Sequence, residues 1–163
     1  MNIYLIGMPG SGKTTLGKRL AVELNKTFID LDQYIEQKYL LYIDEIFGMY
    51  GEEKFREIET ESLKDFIGKD YVISTGGGIV MKKANKALMD GLKIYINTPI
   101  ETIETRLKSS YDRPLLKSMT LEELYDIRFL KYQGFADKIV SNSDDITKAV
   151  SDLVKIVTDW KNK

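Results

Sequence analysis

Residues 7–15, Gly-Met-Pro-Gly-Ser-Gly-Lys-Thr-Thr, constrain this chain more than any other stretch. They follow a short apolar run, Ile3-Tyr4-Leu5-Ile6, and precede Leu16-Gly17-Lys18-Arg19-Leu20-Ala21-Val22-Glu23-Leu24. That order reads as strand, glycine-rich turn, helix, the setting in which a G-x-x-x-x-G-K-[ST] pattern has a physical meaning. Glycines let the backbone curl so that successive amides face inward around an anion. The helix that follows adds its unpaired N-terminal N–H groups and the positive end of its dipole. A nucleotide phosphate site is therefore expected, with Gly10, Ser11, Gly12, Lys13, Thr14 and Thr15 around the phosphates. Lys13 would reach the β- and γ-phosphates, and Thr14 would offer its hydroxyl to Mg2+.

The rest of the chain reads as alternating strands and helices. Residues 2–6, 28–32, 71–75, 92–96 and 138–141 are strand candidates. Helices are expected over about 13–25, 33–39, 43–48, 50–67, 81–89, 98–109, 120–132 and the C-terminal stretch. Thr98-Pro99-Ile100-Glu101 and Thr120 to Glu123 both have the form of a capped helix start. Near the C-terminus Ile146, Ala149, Val150, Leu153, Val157 and Trp160 form one apolar stripe. Five strands alternating with helices point to a mostly parallel, doubly wound α/β sheet. Two or three helices between the second and third strands exceed what a crossover needs, so residues 33–60 are expected to form a substrate-binding excursion. Residues 108–119 break the pattern around Arg113-Pro114 and are expected to be a lid.

Ligands of such sheets lie beyond the carboxyl ends of the strands, where the chain's three strongest polar features fall. These are the glycine-rich loop, the pair Asp30 and Asp32, and Gly76-Gly77-Gly78. Read as the end of a strand, Asp30 and Asp32 would face the same side. One would order Mg2+ through water, and the other would align a substrate hydroxyl. The alternative is two turn or cap carboxylates. Ser74 and Thr75 stand where many phosphate-loop proteins keep an aspartate, and one of their hydroxyls could hold a metal-bound water. Arg56 and Arg128 are isolated basic residues whose commonest role is solvated surface charge, though an arginine fork also suits a carboxylate. Arg113, in the irregular segment, is a candidate for closing onto the transferring phosphate.

With 163 residues the chain suits one domain, and 24 basic against 25 acidic residues give no argument for a polyanion-binding surface. There is no histidine and no cysteine, so acid–base work falls to Asp, Glu, Lys or Tyr and thiol chemistry is excluded. No run approaches the length of a membrane span. The expectation is a cytoplasmic monomer acting on small molecules, without a nucleic-acid, membrane or obligate protein partner.

GMPGSGKTTLGKRLA at 7–21, FIDLDQYIE at 28–36, IDEIFGMYGEEKFREIE at 43–59, STGGG at 74–78 and DRPLL at 112–116 closely resemble, in order, the motifs of the shikimate kinases. That resemblance implies a three-layer phosphate-loop kinase fold with a five-stranded parallel sheet, and transfer of the ATP γ-phosphate to the 3-hydroxyl of shikimate with Mg2+. It implies that Lys13, Asp32 and Arg113 act in catalysis. It also implies that Arg56 and Arg128 grip the shikimate carboxylate, with Phe47 and Phe55 as walls and Glu59 orienting an arginine. Gly76, Gly77 and Gly78 resemble the substrate-facing backbone. Thr14, Asp30 and Ser74 resemble the metal contacts, the last two through water, and Arg106 the residue that packs on adenine. Residues 141–145 match the family's adenine loop only loosely, lacking its arginine and proline. A kinase for another acid or polyol such as gluconate, a nucleoside-monophosphate kinase, a nucleotide switch and a catalytically silent ATP-binding protein are the competing readings.

Overall fold

The computed structural model describes residues 1–107 and 119–163. Arg113 and all of the expected lid but Met119 lie outside the described residues. Five strands, β1 (Asn2–Ile6), β2 (Thr27–Asp30), β3 (Tyr71–Ser74), β4 (Gly91–Asn97) and β5 (Lys138–Ser141), form one sheet in the order β2-β3-β1-β4-β5. Every neighbouring pair is parallel. The helices are α1 (Lys13–Leu24), α2 (Leu31–Tyr39), α3 (Ile43–Leu63), α4 (Ala84–Leu88), α5 (Ile100–Leu107), α6 (Leu121–Phe135) and α7 (Ile146–Lys161). Parallel neighbours need crossovers, and the helices supply them. The expected fold class is borne out.

The central strand shows how the layers are filled. All five residues of β1 are buried, and their side chains alternate between two cores. Ile3 and Leu5 join Leu16, Leu20, Leu92, Ile94, Ala149 and Leu153 beneath α1 and α7. Tyr4 and Ile6 join Leu31, Ile35, Ile58, Leu63 and Tyr132 beneath α2, α3 and α6. Burying one such aliphatic side chain stabilises the fold by roughly 1.5–3 kcal/mol. Gly17 lets α1 lie close to β2, because a Cβ there would stand 2.5 Å from the ring of Phe28.

Several boundaries differ from the sequence reading, each for a local reason. The strand expected to run through Asp32 ends at Asp30, whose carboxylate accepts a hydrogen bond from the Gln33 N–H at 3.2 Å and caps α2. Asp32 therefore sits in the first turn of that helix, beyond the strand. The helices expected at 43–48 and 50–67 are one element, α3, bent at Gly51, whose φ of 85° and ψ of 168° no other residue adopts readily. Its end tightens into a 3-10 turn at Lys64–Phe66. The helix expected over 81–89 is a 3-10 turn, Ile79–Met81, followed by the short α4. Buried Asn85 organises this stretch, donating to Ile79 O at 2.8 Å and accepting from the Thr60 hydroxyl at 2.8 Å. Thr120 caps α6 as expected, its hydroxyl accepting from the Glu123 N–H. The Thr98 hydroxyl, expected at the start of α5, donates to Ser11 O at 2.8 Å.

Candidate active site

A cleft of about 870 Å³ runs along the carboxyl ends of the strands. At one end the chain leaves β1, turns through the glycine-rich loop and enters α1. Gly10 and Gly12 hold φ of 79° and 98°, and Gly12 is the residue from which α1 starts. Lys13 is buried, its ammonium donating to Gly7 O at 2.7 Å and Met8 O at 2.8 Å, so the side chain lies folded over the loop. The Thr14 hydroxyl donates to Asp30 Oδ2 at 3.3 Å. Asp30 pairs in register with Ser74 across β2 and β3, so Thr14, Asp30 and Ser74 meet at one corner of the cleft. Asp30 thus serves as helix cap, one of the two alternatives left by the sequence, and also as partner of the loop threonine.

The other end is built around the three glycines after β3. A Cβ on Gly76 would stand 2.8 Å from Asp32 Oδ1, on Gly77 3.0 Å from Arg128 Nη1, and on Gly78 2.3 Å from Arg56 Nη2. Each glycine thus has a different charged side chain close to it, with Pro9 Cδ nearer still to Gly77 at 2.8 Å, and all three line the cleft. The Tyr132 hydroxyl donates to Gly77 O at 2.5 Å and fixes the turn from behind. The placement of Asp32 in the first turn of a helix, two residues past the strand, is what lets it reach this glycine floor.

Arg56 and Arg128 are 7% and 2% exposed, which removes them from the solvated-surface reading. A buried guanidinium needs compensation, and Arg56 finds it in Glu59 at 2.7 Å and Glu52 at 3.3 Å. It also lies 5.2 Å from the ring centroid of Phe55 and 6.0 Å from that of Phe47. Glu59 is fully buried, and that burial pushes its carboxyl up to about 7 against the pull of Arg56. Burial likewise pushes the Tyr132 phenol up to about 12, with Arg128 acting in the opposite sense. Among the described residues the Nε atoms of both arginines and Oε2 of Glu59 are buried without a hydrogen-bond partner. The two buried guanidiniums, with Glu59, Glu52 and Asp32 around them, present planar donor forks of the kind that suits a small carboxylate ligand.

Arg106 reaches the phosphate loop from α5, donating to Gly10 O at 2.9 Å and pairing with Asp144 at 3.2 Å. Two residues had escaped assignment from the sequence. Asn142, in the loosely matching 141–145 stretch, is 2% exposed, and its amide donates to Ser11 O at 2.9 Å. Thr98 donates to the same carbonyl. Neither carries a sequence signal for this role, since Thr98 has the pattern of a helix cap and Asn142 that of a polar loop. Tyr42, Ile43, Asp44 and Glu45, at the start of α3, also line the acceptor end.

One end of the cleft presents loop amides and a lysine, and the other presents buried arginines beside carboxylates. A parallel α/β protein so equipped is a phosphate-loop phosphotransferase. Comparison with known proteins narrows the class. A family profile described as Shikimate kinase matches residues 9–158. A shikimate kinase from Clostridium botulinum (strain Alaska E43 / Type E3) is 41% identical over 160 residues, covering 95% of this chain and 96% of the relative. The solved shikimate kinase from Acinetobacter baumannii, in complex with shikimate, superimposes with a TM-score of 0.92 at 32% identity, covering 99% and 95% of the two chains. That from Aquifex aeolicus gives 0.84 at 36% identity, covering 97% and 96%. The chain belongs to the shikimate kinase family.

Proposed function

We propose that this chain transfers the γ-phosphate of ATP to the 3-hydroxyl of shikimate, and that the glycine floor is the observation that carries the reading. Asp32, Arg128 and Arg56 are laid over Gly76, Gly77 and Gly78 in that order. A molecule holding a carboxylate at one end and a hydroxyl at the other would meet the arginines and the aspartate together. Arg56 and Arg128 bind the carboxylate, and Phe47 and Phe55 wall the ring. Glu59 keeps Arg56 oriented, and Asp32 aligns the hydroxyl for attack. Phosphoryl transfer depends mainly on alignment and charge stabilisation, so a hydroxyl-positioning carboxylate is sufficient without a strong base.

At the donor end the loop amides from Gly10 to Thr15 hold the phosphates. Lys13 shares its charge between the loop carbonyls and the phosphoryl group, and Arg106 lies toward the nucleoside. Arg113 belongs to this proposal from the sequence alone, as a cation brought onto the transferring phosphate. Mg2+ fits the corner where Thr14, Asp30 and Ser74 meet. A hard cation that keeps most of its waters needs one hydroxyl and a carboxylate within reach of its water shell. Among the described residues no three His, Cys, Asp or Glu side chains cluster into a cage that would hold it without the nucleotide. Thr14 directly, with Asp30 and Ser74 through water, would hold Mg2+, which would supply positive charge to offset that of the phosphates. No helix of the described residues is long and apolar enough to cross a membrane, which accords with a cytoplasmic kinase of small molecules.

The test is coupled ATP turnover with Mg2+ and shikimate, with mass analysis and fragmentation of the product. Gluconate, AMP and an acceptor-free control run alongside. Shikimate-dependent formation of shikimate 3-phosphate is expected. Turnover with gluconate or AMP alone would reassign the acceptor end, and hydrolysis without an acceptor product would make the chain a switch.

A further inference from the structure

We propose that Asn142 is a positioning residue for nucleotide phosphate. With Thr98, it clamps the Ser11 carbonyl and thereby aims the Gly12 N–H into the phosphate loop. The inference rests on the nucleotide-binding half of the proposed function. Two donors from the ends of adjacent strands converge on one buried oxygen, Asn142 Nδ2 at 2.9 Å and Thr98 Oγ1 at 2.8 Å. Their strands are in register there, Asn97 opposite Ser141, and the Asn142 N–H is itself anchored to Asn97 O at 2.9 Å. A trans peptide points its C=O and the next N–H to opposite sides. Fixing Ser11 O against the sheet therefore turns the Gly12 N–H away from it, toward the cleft that Gly12 lines.

The surroundings of Asn142 argue that the donor is kept for this purpose. A Cβ on residue 12 would stand 2.5 Å from Asn142 Nδ2, so the glycine is required by the clamp as well as by its φ of 98°. The amide can serve only one way round, because the reverse would set two acceptors, Oδ1 and Ser11 O, face to face. In the orientation it adopts, Oδ1 is buried with no hydrogen-bond partner among the described residues. A buried unpaired acceptor is a cost that an apolar residue of similar size would avoid. The donor is what an apolar residue could not supply.

The experiment compares Asn142→Leu, which keeps volume without a donor or a charge, with Thr98→Val and the double variant. Dissociation constants for ADP, AMP and shikimate are measured by calorimetry on the full chain. Either single variant should weaken ADP about threefold to tenfold, and the double variant more than either. AMP, with no β-phosphate to place in the loop, should change less than twofold, and shikimate likewise. Equal losses for ADP and AMP would assign Asn142 to the nucleoside and overturn the clamp. So would ADP binding that is unchanged, or shikimate binding that falls in step with ADP. If Asn142→Leu does not fold, Thr98→Val decides the question by the same three ligands. Failure of the unmodified chain to bind ADP would instead overturn the proposed function.

Discussion

Gly78 separates a steric effect from a conformational one. Its φ of −96° suits any residue, yet a Cβ would stand 2.3–2.4 Å from three atoms of the Arg56 guanidinium. The obstacle is the far end of a long side chain, so the fold can absorb it while the arginine cannot keep its place. Gly78→Ala should raise KM for shikimate tenfold or more and leave KM for ATP within about threefold; steady-state kinetics with each substrate varied would show this. Lys13→Ala should lower kcat by about two orders of magnitude or more, with shikimate binding retained. Glu59 makes a prediction in pH. Its carboxyl is raised to about 7 by burial, above its ordinary value of 4.5. Between those two values the folded chain binds more protons than the unfolded one, so stability falls as pH rises. Glu59→Gln should flatten that fall between pH 5 and 8, as read by urea unfolding. An unchanged slope would show that the residue does not titrate in this range.

Among the elements, α3 carries most of the acceptor end, and its bend decides how. Residues before Gly51 bring Phe47 over the cleft, and those after it bring Phe55, Arg56 and Glu59. A Cβ on Gly51 would meet nothing within 4 Å, so any penalty for Gly51→Ala comes from the backbone alone. A cost of about 1–3 kcal/mol is expected, with a weaker grip on shikimate as Phe47 shifts; urea midpoints and shikimate titration would measure both. The bend also marks how far sequence could be followed. The two expected helices were separate pieces of one element, because helical periodicity on both sides of a glycine does not reveal its ψ. The motif-bearing turns were legible, since Gly7–Thr15 and Gly76–Gly78 need glycine for reasons that show in composition. Thr98 and Asn142 were not, because what each touches lies 87 and 131 residues away in the chain. Arg56 and Arg128 were assigned only through family resemblance. Burial of a lone arginine depends on the whole fold around it.

At the scale of the molecule, the sheet divides the packing into two layers of unequal involvement. The layer under α2, α3 and α6 carries Phe55 and Tyr132 and continues directly into the acceptor end. The layer under α1 and α7 centres on Leu16, Leu20, Ile94 and Leu153 and touches the cleft chiefly through the start of α1. Leu153→Ala, at a fully buried position of the second layer, should cost about 2–5 kcal/mol of stability. Both KM values should stay within about twofold at temperatures where the variant is folded, which thermal melts and kinetics on the same sample would establish.

The glycine floor has a consequence for how such a chain could change over descent. Gly76 is closed to a larger residue by Asp32, Gly77 by Pro9 together with Arg128, and Gly78 by Arg56. A single compensating substitution elsewhere could therefore relieve only one of them, and the turn behaves as a locked block under drift. The walls at Tyr42 and Ile43, which also line the cleft, are not among the residues that close the three glycines. A lineage acquiring a new acceptor would be expected to rewrite those walls first and to inherit the three glycines unchanged.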